Sequence, residues 1–100
     1  MDKLNIAKAK ELRGEIIRRL YDLYGSPVQL SSLGTLLRYK SYNSREDIGK
    51  AVRYLSGAKK EYLEVDVNEK DYWASFVQLS PTGVNLAEGD LTDMGVIYDG

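Results

Sequence analysis

Residues 44–83 read SREDIGKAVRYLSGAKKEYLEVDVNEKDYWASFVQLSPTG, and the pattern within this run decides how the rest of the chain assembles. It opens on Ser44, whose hydroxyl can accept the orphan N–H groups of a first helical turn, with Asp47 three residues on, where a capping box usually has Glu. Ile48, Ala51, Val52 and Leu55 then recur at helical spacing up to about Ser56, and Gly57 is a stop signal. At Leu63 the period changes. Leu63-Glu64-Val65-Asp66-Val67 alternates strictly, Asn68 to Asp71 is turn-forming or charged, and Tyr72 to Leu79 is rich in aromatic and β-branched residues, which predicts a β-hairpin. Ser80-Pro81-Thr82-Gly83 ends the second strand, because Pro cannot extend a ladder and Gly permits a tight exit.

Working outward, Lys3 to Tyr24 contains no Pro and places Leu12, Ile16, Leu20 and Leu23 at helical intervals, with Gly25-Ser26-Pro27 as the stop. Val28-Gln29-Leu30 suits a very short strand, and Ser31 or Ser32 can cap a helix over Leu33 to Tyr39. Lys40 to Asn43 follows as a polar turn. Val84 to Glu88 can make one more helical turn before a tail over residues 89–100. Helix, short strand, helix, helix, strand, turn, strand is the order of a winged helix-turn-helix. This is an α+β fold with a three-helix core and an antiparallel β wing, and its third helix is the recognition helix. The expected core is Leu12, Ile16, Leu20, Leu33, Leu36, Leu37, Ile48, Val52 and Leu55, with Trp73 and Phe76 also inside. One hundred residues suit a single domain, 1–100.

Composition removes most chemistries. Apolar residues make up 43% and charged residues 29%, so a core can form, while the absence of Cys and His excludes disulfides, thiolate or imidazole metal sites, Cys nucleophiles and Ser-His pairs. Asp66, Asp90 and Asp93 carry no spacing that marks an acid-base or two-metal pair, so neither enzyme activity, metal nor cofactor is expected. No apolar run is long enough for a signal peptide or membrane helix, and the expected location is the cytoplasm.

The net charge of -1 hides a strong asymmetry. Residues 1–60 hold 13 Lys or Arg against 6 Asp or Glu, whereas residues 61–100 hold only Lys70 against 9 acids. A basic half of this kind suits a polyanionic partner; a solvated dipolar surface is the alternative. At 100° per residue, with Ile48 toward the core, Glu46, Lys50 and Arg53 point outward, and Arg45 and Gly49 flank them. Asn43, Ser44, Arg45, Lys50 and Arg53 are the residue types that bond base edges and phosphates in a major groove, and Gly49 allows close backbone approach. Arg38 and Lys40, beside the preceding turn, and Lys59 and Lys60, after the helix, are further phosphate candidates.

Ala7-Lys8-Ala9-Lys10-Glu11-Leu12-Arg13 leading into Ile16 and Leu20, the Ile48, Val52 and Leu55 positions before Gly57, and Leu79-Ser80-Pro81-Thr82-Gly83-Val84-Asn85-Leu86-Ala87-Glu88-Gly89 carry a resemblance that spans nearly the whole chain. On these residues the sequence resembles small winged-helix transcriptional regulators of the ArsR-like class, as found in Mu-like transposable prophages. The resemblance implies a regulator that binds double-stranded DNA in a sequence-dependent way. The chain departs from metal-sensing members in lacking Cys and His, and from DNA-gripping wings in the acidic Asp66, Glu69 and Asp71 around Lys70. That acidic wing suits an alternative, a winged-helix module that binds protein instead of DNA.

A second apolar set on the first helix, Ile6, Ile17, Tyr21 and Tyr24, lies about 120–180° from Leu12 at 100° per residue. It predicts a homodimer interface, against the alternative that the tail residues Val96, Ile97 and Tyr98 cover it within one chain. Most of the eight tyrosines suit half-buried positions at the edge of a small core.

Overall fold

The computed structural model describes residues 3–38 and 44–98. Among them the chain forms four α-helices and a small three-stranded antiparallel sheet: α1 (Lys3–Asp22), β1 (Val28–Gln29), α2 (Leu30–Arg38), α3 (Arg45–Ser56), β2 (Leu63–Asp66), β3 (Phe76–Leu79) and α4 (Pro81–Ala87). A 3-10 turn, Tyr72–Ala74, interrupts the connection between β2 and β3. The fold is α+β.

Local chemistry sets most boundaries. Gly25 takes a φ of 98° at the end of α1, a left-handed conformation that costs glycine little, and Ser26 N–H donates to the Leu23 carbonyl at 3.1 Å within the same turn. The sequence pattern starts the second helix at Leu33, but α2 starts at Leu30, whose N–H donates to the Ser75 carbonyl at 2.9 Å and whose side chain is wholly buried. One residue thus ends the sheet pairing and begins the helix. Ser44 caps α3 as its sequence suggests, accepting from Asp47 N–H at 3.1 Å. Ser80 caps α4, accepting from Gly83 N–H at 3.1 Å and donating its own proton to the Glu61 carbonyl. Ser80-Pro81-Thr82-Gly83 is therefore a helix start as well as a strand end, with Pro81 at the first helical position, where its missing N–H costs nothing. A Cβ on Gly83 would stand 2.1 Å from the Tyr62 carbonyl oxygen, so only glycine lets α4 seat against the entry to β2.

The sheet order is β1-β3-β2. Leu63 pairs with Leu79 and Val65 with Val77, which puts those four on the helical side; Glu64 pairs with Gln78 and Asp66 with Phe76 on the other. Leu12, Ile16, Ile17, Leu20, Leu30, Leu33, Leu37, Ile48, Val52, Leu55, Val77 and Leu79 form the centre of the core.

Several expectations are corrected by this geometry. Leu36 is 37% exposed, because a helix that starts at Leu30 turns Leu30, Leu33 and Leu37 inward. Phe76 is 44% exposed, because Val77 and Leu79 take the inner face of β3 and the pleat sends Phe76 to the other. Leu23 is also exposed, since α1 ends one residue before it.

Two members of the second apolar set on α1, Ile17 and Tyr21, are taken up within the chain instead of facing a partner. Ile17 is 0% exposed, buried in the core of its own chain. Tyr21 packs against that core and donates its hydroxyl to Glu88 Oε2 at 2.8 Å. Ile6 and Tyr24 are exposed, Ile6 in the first turns of α1 and Tyr24 in the turn beyond its end. Part of the surplus apolar surface of α1 meets the tail, as Ile97 N–H donates to the Lys10 carbonyl at 3.1 Å and Val96 enters the core.

Candidate nucleic-acid interface

α3 separates its residues cleanly by burial. Ile48, Gly49, Ala51, Val52 and Leu55 are buried, while Ser44, Arg45, Glu46, Asp47, Lys50 and Arg53 are exposed. Arg45, Gly49 and Arg53 follow at intervals of four and form one stripe along the helix. The two arginines are not loose in solvent. Arg45 places its guanidinium carbon 4.9 Å from the centre of the Trp73 ring, and Arg53 places its own 4.9 Å from the centre of the Tyr72 ring. The Arg53 side chain lies over Gly49: a Cβ there would meet Arg53 Nη1 at 3.7 Å, an ordinary contact. Lys50 pairs with Glu46 at 3.3 Å, an i,i+4 pair with both side chains mostly in water, worth little and easily exchanged for another anion.

Tyr72 and Trp73 stand on a well-tied turn. Asn68 Oδ1 accepts from the N–H groups of Lys70 and Asp71 at 3.0 and 3.1 Å, and Asp71 Oδ1 accepts from Trp73 N–H at 3.1 Å. Ser75 Oγ accepts from Asn68 N–H at 2.8 Å and closes the loop. Asp71 is thus the cap of the 3-10 turn, a structural duty for a carboxylate whose sequence position alone suggests repulsion of phosphate. The indole of Trp73 lies on Gly34 of α2, where an added Cβ would come within 2.6 Å of Cζ2. Trp73 is half-buried instead of central. The sequence reading assigned Trp73 to the core and missed both aromatics as partners of the α3 arginines. The spacing of Asn68 and Asp71, two side chains that cap the backbone two or three residues on, was the available signal for the turn.

Of the other residues singled out from sequence, Arg38 closes α2, but its side chain, like Lys40 and Asn43, lies outside the described residues. Lys60 is engaged elsewhere: its Nζ donates to Asp93 Oδ2 at 2.8 Å. Asp93 is the hub of the tail, with a side chain only 5% exposed. It also accepts from the Tyr62 hydroxyl at 2.6 Å, the Tyr54 hydroxyl at 3.2 Å and Gly95 N–H at 2.7 Å. Arg13 completes the attachment, donating to the Gly95 carbonyl at 3.0 Å with its guanidinium 3.8 Å from the centre of the Tyr54 ring.

The titrations of this hub follow from its contacts. Burial alone would push the Asp93 carboxyl up, but the bonds from Lys60, Tyr62 and Gly95 outweigh it and hold the group well below the usual carboxylate range. Burial, then the bond to Asp93, pushes the Tyr62 phenol up to about 12. The bond to Asp93 raises Lys60 as well. These groups are saturated by one another, which makes the cluster a fastening for the tail. On α3, by contrast, Arg45, Lys50 and Arg53 are exposed to solvent.

No helix among the described residues is long and apolar enough to cross a membrane. No protein-family model matches the chain, and no curated protein or solved structure is significantly similar to it.

Proposed function

We propose that this chain is a winged helix-turn-helix regulator that binds double-stranded DNA, with α3 in the major groove. The observation that carries the reading is the exposed face of α3, where Ser44, Arg45, Lys50 and Arg53 lie together and both guanidiniums rest on the aromatic pair of the hairpin turn. The sheet order β1-β3-β2, with α2 and α3 between β1 and β2, supports the winged-helix assignment. The regulatory role and its prophage setting rest on the resemblance carried by the α1, α3 and Ser80-Pro81-Thr82-Gly83 segments.

A mobility-shift series at low salt against random and genomic duplex fragments tests the proposal. Binding should weaken steeply as salt rises, with a log-log slope of roughly -2 to -3 for two or three phosphates neutralised. Replacing Lys50 and Arg53 together by Glu should abolish it, and replacing Lys70 should leave it unchanged.

One observation favours a second reading, a protein-binding module. The outer face of the sheet exposes Phe76 beside Glu64 and Asp66, in a shallow recess of about 580 Å³, and has no basic residue in its lining. Absence of any shift on duplex DNA at low salt would select this reading.

A further inference from the structure

We infer that Tyr72 and Trp73 are positioning residues for anion contact by α3, an inference that rests on the DNA-binding reading. The turn that carries them holds the Arg53 and Arg45 guanidiniums in place before a ligand arrives.

Three observations carry it. Both arginines stack, at the same 4.9 Å, on consecutive residues of one turn, although they stand eight positions apart on α3. The turn is immobilised from within by the Asn68 and Asp71 caps and from below by the contact of Trp73 with Gly34, so the rings are a fixed platform. Arg53 packs along its own helix over the buried Gly49 on its way to Tyr72, so its guanidinium is held from the α3 side as well.

A guanidinium held over a ring has fewer rotamers left to lose when it binds and still has N–H donors to offer another partner. Eight residues of α-helix rise about 12 Å, so Arg45 and Arg53 leave α3 about two turns apart and meet the same hairpin turn. The hairpin therefore serves recognition without touching DNA itself, which reconciles its acidic residues with a polyanionic ligand. In this arrangement Tyr72 and Trp73 act through the arginines.

The test is fluorescence anisotropy of the full chain with a labelled random-sequence duplex at low salt, comparing Y72L, Y72F, R53Q and the Y72L/R53Q pair. Loss of the stack in Y72L should weaken binding about three- to fivefold. Y72F, which keeps the ring, should bind as the unmodified chain does. In the R53Q background Y72L should cost nothing further, because the two residues act as one unit. Additive losses, or unchanged affinity in Y72L, overturn the positioning role and leave the DNA reading standing. No binding by the unmodified chain overturns that reading and the role with it.

A second measurement needs no core substitution. Trp73 is the single tryptophan, and Arg45 is exposed, so R45Q should shift the Trp73 emission without lowering the unfolding midpoint. Identical emission spectra would overturn the Arg45 half of the proposal.

Discussion

The hydroxyl of Tyr62 donates to Asp93 Oδ2 at 2.6 Å, tying the entry of β2 to the tail across 31 positions of sequence. Lys60 reaches the same oxygen at 2.8 Å, and Tyr54 and Gly95 share the other oxygen. A carboxylate this enclosed is compensated only while its donors stay in place.

Asp93→Ala should therefore lower stability by about 2–4 kcal/mol, since it leaves the Tyr54 and Tyr62 hydroxyls, the Lys60 ammonium and the Gly95 N–H without their acceptor. Urea unfolding followed by circular dichroism measures the loss. The slope of the transition should also fall if the tail detaches, because less surface is then exposed on unfolding.

Stability should depend on pH at both ends. The folded Asp93 has a depressed pKa, so its contribution is complete above the unfolded carboxylate value, about 3.9, and drains away as the pH falls further and the unfolded chain takes up the proton first. Tyr62 has the opposite sign: raised from 10.0 to about 12 in the fold, it stabilises fully below pH 10 and loses that contribution as the pH climbs toward 12. Asp93→Asn should flatten the acid limb and lower the Tyr62 midpoint toward its ordinary value. Urea titrations across the acid range and tyrosinate absorbance read the two limbs.

Gly14→Ala would ordinarily help a helix, by about 1 kcal/mol. Here the new Cβ would stand 1.7 Å from the Ile97 carbonyl oxygen, so the tail backbone must leave α1. Amide exchange of Ile97, protected by its bond to the Lys10 carbonyl, should accelerate at least about tenfold while the α3 amides hold their rates.

Ile17→Ala should cost about 2–4 kcal/mol through the cavity it leaves, with an unfolding midpoint that does not vary with protein concentration. Concentration dependence of the midpoint would point instead to an interface that includes this residue.

Where one rule acts on adjacent residues, the fold is legible before the structure. Ser44 and Asp47 announce α3, and the change from helical to alternating spacing at Leu63 announces the hairpin. Misassignments fall where two local patterns compete. Hydrophobicity puts Phe76 inside, whereas the parity of Val77 and Leu79 determines its side of the sheet. Ile17 was placed outside because a single helical face was expected to be buried, yet α1 is packed by α2 and α3 and also meets α4 and β3. The exposed cations of the candidate site, Arg45, Lys50 and Arg53, follow from helical geometry alone. Their aromatic partners do not, because nothing local links Arg53 to Tyr72 or Arg45 to Trp73. The same is true of Asp93, whose donors come from α3, from the residues before β2 and from its own turn.

The tail also imposes an order on assembly of the fold. Arg13, Tyr54, Lys60 and Tyr62 all precede in the chain the carboxylate and carbonyl they bind. Until residue 97 has been added, the Lys10 carbonyl lacks the Ile97 amide and the core lacks Val96. A chain cut back to α4 would carry its helices and hairpin with the flank of α1 left open. Closure of this fold over α1 is thus performed by a segment, residues 89–98, that contains neither helix nor strand.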